Sequence, residues 1–358
     1  MFKVSIRPEW VLAEREGGQM LPRVVELLTG IHETGTLAAA CRRAELSYRH
    51  AWGVLKAGQH AFGAPLVDMV RGRGAVLTPL GEKLVWADRR VAARLTPLFE
   101  SLASELEVEL ESALHDAQGV LRIQASHGFA VDALRTAMLA QQLPLDLRYR
   151  GAFDSVAALA QGRCDIAGFH VPIGEFESRA LRRYAEWLDP QNHRLIHLAT
   201  RRQGLIIAGG NPKNIRGIQD LTRPELQFVN RQLGSGTRML FDFLLEKHRI
   251  DGHRLRGYDN GEFTHAAVAA YIASGMADAG FGVETPARRF GLDFVPMTTE
   301  RYFLLCPLKL FDSATAKPLM AILNSAEFRQ TVDALPGYDP THCGRVQTIS
   351  EAFAAARI

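Results

Sequence analysis

The stretch Thr34–Gly63, TGTLAAACRRAELSYRHAWGVLKAGQHAFG, decides how the N-terminal part of the chain folds. Leu37, Ala40, Cys41 and Ala44 recur at the spacing of one helix face, and Thr36 stands where an N-cap belongs. Ser47 is the next cap, with Tyr48, Ala51 and Leu55 forming a second inward stripe while Arg49, His50, Gly53 and Lys56 face away. Two short helices joined by a tight turn, the second with a basic outer face, make a helix-turn-helix. A helix N-terminus carries free N–H groups and a partial positive charge, so Thr36, Ser47, Tyr48, Arg49, Trp52 and Lys56 are the candidates for meeting phosphates and base edges. An ordinary helical hairpin is the alternative.

Leu46-Ser47-Tyr48-Arg49-His50-Ala51-Trp52, preceded by Ala38-Ala39-Ala40, resembles the winged helix-turn-helix of molybdate-dependent bacterial regulators, itself akin to that of LysR-type regulators. One position departs from the pattern. Where such turns commonly carry Gly the chain has Glu45, and a non-Gly residue in the left-handed conformation costs about 1 kcal/mol.

Around this core, Phe2, Val4 and Ile6 alternate with polar residues and read as a strand that ends at Pro8 and adds to the wing sheet. Met20–Glu33 reads as a helix packed beneath the other two. After Gly63, two apolar segments flank Arg71-Gly72-Arg73-Gly74, a hairpin whose arginines, Arg71 and Arg73, are placed to reach phosphates or a minor groove. From Thr78 to about Leu114, Leu84, Val91, Leu95, Leu98, Leu102, Leu106 and Leu110 form an apolar line suited to pairing two subunits, or to packing on the helix's own domain. Pro97 interrupts it, so a kink or two successive helices is expected.

The chain has 358 residues, 47% hydrophobic and 23% charged, ordinary globular material for two or three domains. No export signal or run of about 18 apolar residues is apparent, and the four scattered cysteines show no metal spacing, so a cytoplasmic protein with reduced thiols is expected. The net charge of +3 is small, but its distribution is uneven: Thr34–Arg94 holds ten Lys/Arg against four Asp/Glu, and Phe99–Asp116 holds six acids and no Lys or Arg. A basic patch beside an acidic helix suits a DNA-facing module on a solvated stalk.

Beyond Gly119 short β-runs alternate with helical stretches, which argues a parallel sheet covered by helices and, over two such sets, two α/β lobes joined by crossing strands. Gly151-Ala152-Phe153-Asp154-Ser155, Gly162–His170, Asn230–Arg238 and Glu262-Phe263-Thr264-His265, with Pro336-Gly337-Tyr338-Asp339, are similar to segments of periplasmic-binding-protein-like domains of the molybdate-binding type that are fused to regulators. The expected fold is therefore α/β: an N-terminal winged helix-turn-helix over 1–80, a linker or dimerisation helix over 81–118, and a two-lobed type II periplasmic-binding-protein-like sensing domain over 119–358.

In an open α/β domain ligands lie at the carboxyl ends of strands, where helix N-termini point. Ser126, Ser235, Thr237 and Thr264 stand at three such helix starts and offer hydroxyls beside free N–H groups, a combination suited to a small anion. Gly128, Gly234 and Gly236 permit close backbone approach, Arg231 and Arg238 add charge, and His127, His170 and His265 are candidates for the wall. Each hydroxyl is equally a plain helix cap, Arg238 can pair with an acid of its own domain, and His170 can be a core histidine. The chain shows none of the common catalytic signatures, such as HExxH, a nucleophile elbow or a Walker motif, and the histidines lack metal-ligand spacing, so neither an enzyme nor a metal site is expected. The combined expectation is a dimeric regulator that binds double-stranded operator DNA and senses a small anionic effector without a cofactor. The resemblance implies molybdate or tungstate as that effector, formate is the alternative, and a molybdate storage or delivery protein is the rival from another class.

Overall fold

A computed structural model describes residues 4–6, 12–13, 20–21, 23–70, 74–114 and 119–354. The chain divides into two compact units, Arg7–Ala93 on one side and Met1–Ile6 with Arg94–Ile358 on the other.

In the smaller unit a short antiparallel pair, β1 (Leu12–Ala13) and β2 (Met20–Leu21), precedes helices α1 (Val24–Thr34), α2 (Leu37–Arg43) and α3 (Tyr48–Phe62) and the hairpin β3 (Val67–Val70) and β4 (Gly74–Leu77). Local chemistry sets these bounds. Thr36 accepts a hydrogen bond from the Ala39 N–H and Ser47 from the His50 N–H, both at 3.2 Å. Glu45 does take the left-handed conformation, with φ 53°. It closes α2 by donating its N–H to the Arg42 carbonyl while Leu46 donates to Cys41, a Schellman turn whose two bonds offset the missing glycine. Val24, Leu27, Leu28, Ile31, Leu37, Cys41 and Leu55 fill the core of this smaller unit. Tyr48 departs from expectation: it is 51% exposed, and Ala51, Leu55 and Gly58 form the inward face of α3 instead. Arg71 and Arg73 lie outside the described residues.

Residues 4–6 do not form the expected strand; the Val4 N–H donates to a carboxylate oxygen of Glu107, at 2.8 Å, rather than to a neighbouring strand. Helix α4 (Pro79–Leu114) is one helix with Pro97 inside it, so of the two expected alternatives two successive helices is overturned. It is held by tertiary bonds just past that point. Ser101 accepts the Tyr149 N–H, and Ser104 accepts the Leu147 N–H while donating to the Leu145 carbonyl. These bonds satisfy the free edge of the outermost strand of the sheet, β6 below.

The rest of the larger unit contains β5 (Leu121–Ala125), α5 (Phe129–Ala140), β6 (Leu145–Tyr149), α6 (Ala152–Ala160), β7 (Ile166–Pro172), α7 (Glu177–Arg182), β8 (His193–Ile207), β9 (Phe228–Arg231), α8 (Gly236–Lys247), β10 (Gly261–Glu262), α9 (His265–Ala273), β11 (Ala279–Val283), α10 (Glu284–Arg289) and β12 (Asp293–Pro307). One sheet follows the path β10-β9-β11-β8-β12-β7-β5-β6. Strands β5, β6 and β7 are mutually parallel through β5, as are β9, β10 and β11 through β9, and these two parallel sets form the cores of two lobes. The antiparallel strands β8 and β12 each continue for 15 residues. Strand β7 joins β12 over Glu300–Leu305, and β11 joins β8 over Gln203–Ile207, so both long strands pass from one lobe to the other near Arg201 and Glu300.

Candidate anion site between the lobes

The crossing strands bring together polar side chains that are buried. Arg201 Nε donates to Glu300 Oε1 at 2.6 Å, and Arg201 Nη1 lies 3.4 Å from the Tyr338 hydroxyl. Gln203 Nε2 donates both to Glu300 Oε1 at 2.7 Å and to Thr237 Oγ1 at 3.0 Å. Because a carboxylate only accepts, this bond also fixes which end of the Gln203 amide is which. Tyr302, two residues beyond Glu300, donates its hydroxyl to the Ser126 carbonyl at 3.2 Å and stacks on His170.

Arg231, at the end of β9, reaches the same place from the second lobe. Its Nε donates to the Glu262 carbonyl at 3.1 Å and its Nη2 to the Phe263 carbonyl at 2.7 Å. Unlike Arg201, it hydrogen-bonds no carboxylate. Arg231 Nη1, Ser126 Oγ, both ring nitrogens of His170, Gln203 Oε1 and Glu300 Oε2 are buried without a protein hydrogen-bond partner. Buried polar groups are normally paired, so such a concentration makes this pocket the candidate ligand site.

Electrostatics follow the same geometry. Burial, with the charge of Arg201 beside it, pushes Arg231 down to about 9, although Glu300 and Glu262 act in the opposite sense. Burial works against the charge of Arg201 too, but Glu300 and Tyr338 hold its pKa above the ordinary value. Burial would raise the Glu300 carboxyl, yet Arg201, His170 and Gln203 hold it below the usual range. His127 is pushed down to about 4 by burial and Arg231. His170 is pushed down to about 4 by burial and by both arginines, against the pull of Glu300. His265 lies well below its ordinary value through burial and the charges of Arg231 and Arg201, and its Nδ1 accepts the Val283 N–H. The three rings are therefore neutral near pH 7, and two guanidiniums against one carboxylate leave the pocket with a single net positive charge.

The positions expected from sequence separate into groups. Ser126, His127, His170, Arg231, Thr237 and His265 converge on this pocket. Gly236 belongs with them, since a Cβ there would fall 2.3 Å from His170 Nε2, and so does Gly128, where a Cβ would meet Arg201 Nη1 at 3.2 Å. Gly128, rather than Ser126, is the N-cap of α5. Ser235 and Thr264 cap α8 and α9, accepting the Arg238 and Ala267 N–H groups. Gly234 is exposed and takes a left-handed φ of 82°. Arg238 is drawn away: its Nε binds Asp242 at 2.9 Å and its guanidinium covers the Tyr258 ring, so its charge is already matched within its own lobe.

Glu300, Arg201, Gln203 and Tyr302 were not legible as site residues. The available signal was charged and amide side chains in the middle of strands otherwise rich in Leu, Ile and Phe. A separate cavity of ≈ 600 Å³ lies among Arg122, Gln124, Arg148, Arg150 and Arg163, and none of the expected ligand-binding residues lines it. Among the described residues no three His, Cys, Asp or Glu side chains gather as a metal site, and no helix is long and apolar enough to cross a membrane.

A sequence profile of the PBP superfamily domain matches residues 133–324. The chain is 32% identical over 209 residues to the uncharacterized protein YvgK of Bacillus subtilis (strain 168), over 58% of this chain and 66% of that protein. It is 36% identical over 124 residues to the molybdenum-pterin-binding protein MopB of Rhodobacter capsulatus, over 34% of this chain and 45% of that one. It thus spans just under two thirds of the first relative and less than half of the second. Among solved structures, full-length LysG, an LTTR from Corynebacterium glutamicum with bound effector Arg, aligns at 20% identity and a TM-score of 0.39, over 82% of this chain and 93% of that one.

Proposed function

The chain belongs to the PBP (periplasmic-binding-protein-like) superfamily, and on that premise we propose that it is a ligand-responsive DNA-binding transcriptional regulator whose two-lobed domain senses a small anion. The observation that carries the sensing part is Arg231: a buried guanidinium that hydrogen-bonds no carboxylate, has one nitrogen without a protein partner, and shares a pocket with the Ser126, Thr237 and His170 donors. Thr237 Oγ1 accepts from Gln203, which leaves its own hydrogen for a ligand. The DNA-binding part rests on α3, where Arg49, His50, Trp52 and Lys56 are exposed along one face and Lys56 lies 5.8 Å from the Trp52 ring centre. That basic, exposed helix favours a regulator over a storage or delivery protein.

Molybdate or tungstate is the leading candidate, supported by the resemblance of residues 151–155, 162–170 and 230–238 to molybdate-binding domains. Formate is the second reading, favoured by the single net positive charge of the pocket, which matches a monoanion. Leu98, Leu102, Leu106 and Leu110 line α4 at 42–53% exposure, an apolar stripe that supports pairing with a second copy and two recognition helices on a palindromic operator.

Selection of duplexes from a random pool, followed by anisotropy titrations with and without molybdate, tungstate and formate, tests the proposal. The expected result is enrichment of a two-fold symmetric sequence whose affinity changes with one of these anions. A pool that yields no preferred sequence would overturn the regulator reading.

A further inference from the structure

The pocket holds two atoms that an anion does not satisfy. Glu300 Oε2 and Gln203 Oε1 are pure acceptors, both buried, and neither has a protein donor. Their orientation is fixed, since Glu300 Oε1 already takes Arg201 Nε and Gln203 Nε2, and the same Gln203 nitrogen is held by Thr237. His170 Nε2 stands 3.9 Å from Glu300 Oε2, too far for a direct hydrogen bond. A ligand presenting only lone pairs would satisfy Arg231 and the hydroxyls and would set two oxygens of its own against these acceptors.

Resting on the anion-sensor reading, we propose that the effector is an anion that carries its own hydrogen-bond donor, an O–H or N–H directed at Glu300 Oε2, while its charged end meets Arg231. Such a ligand satisfies both kinds of orphaned atom at once. A hydroxy acid or a singly protonated oxyanion has this chemistry. Molybdate, tungstate or formate enters only with one added proton, held between the ligand and Glu300. The groups facing that carboxylate are Arg201 from β8, His170 from β7, Tyr302 on its own strand, and Tyr184 and Arg231 beyond them. The proton taken up on binding is assigned to the contact between the ligand and Glu300, because burial and the neighbouring arginines make the rings of His127, His170 and His265 resist protonation.

Calorimetric titrations at pH 8 in two buffers of different ionisation enthalpy read both affinity and proton uptake. Hydrogen phosphate is paired with sulfate, glycolate with acetate, and molybdate and formate are run alongside. The donor-bearing member of each pair is expected to bind at least about tenfold more tightly, the loss typical when a buried charged group is left without its hydrogen bond. Any acceptor-only anion that binds well is expected to take up about one proton. Glu300→Gln, which puts an N–H₂ in place of one oxygen, is expected to erase the discrimination and the uptake. Should that variant not fold, the parent's preference within each pair still decides the matter. Sulfate or acetate binding as tightly as its partner, with no proton uptake, would overturn the proposal and leave the anion sensor standing. Binding of none of these ligands would overturn the anion reading itself.

Discussion

Arg201 on β8 and Glu300 on β12 form a buried ion pair, Nε to Oε1 2.6 Å, where both strands cross from one lobe to the other. Removing one member of such a pair leaves an uncompensated buried charge, which costs about 3–5 kcal/mol. Arg201→Met is therefore expected to lower the thermal midpoint sharply. Adding Glu300→Gln to it is expected to recover part of the loss, because the stranded carboxylate goes with it. Denaturant melts of the two singles and the double measure the coupling; simple additivity would mean that the pair does not act as a unit.

The depressed histidines set a pH dependence. His127, His170 and His197 lie at about 4 in the folded chain against an ordinary 6.5, so below 6.5 the unfolded chain takes up protons that the folded one does not. Their contribution to stability is full above pH 6.5 and is lost as the pH falls through about 4. Thermal midpoints of the ligand-free protein are expected to fall over that window. His170→Gln should flatten the fall, and an unchanged profile would show that the ring is not buried neutral.

On α3, proposed to face DNA, Arg49→Ala and Lys56→Ala are each expected to weaken duplex binding and, if the lost contact is to phosphate, to reduce the salt slope by about one. Both side chains are exposed, so melting temperatures should not move. Anisotropy at several salt concentrations provides the check; parent-like curves would remove α3 from the interface.

Within the larger unit, α4 touches both lobes. Arg94 binds the Glu262 carboxylate and the Tyr271 hydroxyl in the second lobe, while Ser101 and Ser104 hold β6 in the first. Arg231 donates to the carbonyl of that same Glu262, so Arg231 is linked directly to the residue that α4 binds. Arg94→Ala is expected to leave anion affinity almost unchanged and to cut the effect of the anion on DNA binding by about 1 kcal/mol. Measuring DNA affinity with and without anion, in parent and variant, distinguishes this from loss of anion binding.

How much of this was legible depends on the distance over which each feature is set. Thr36 and Ser47 cap as read because a cap is decided within four residues. Ser126, Arg231 and Thr237 could be brought to one pocket because strand ends and the helix starts that follow them face one cleft in this architecture. Glu300 could not, since only strand register sets Arg201 against it, 99 residues away in sequence. Arg238 was placed by a motif, but Asp242 one turn along competes for it and wins. The docking of α4 through Ser101 and Ser104 was not legible either, since both meet a strand edge more than 40 residues distant, which no helix propensity encodes.

Arg231 is the charge proposed to hold the effector. Isothermal titration of the parent and of Arg231→Met with molybdate, tungstate and formate tests this role most directly, with a melt of each protein as the folding control. The parent is expected to bind at least one of these anions. The variant, relieved of a buried charge that hydrogen-bonds no carboxylate, is expected to fold at least as stably and to lose about ten- to a hundredfold in affinity. A folded Arg231→Met protein that binds the same anion as tightly as the parent would contradict the account.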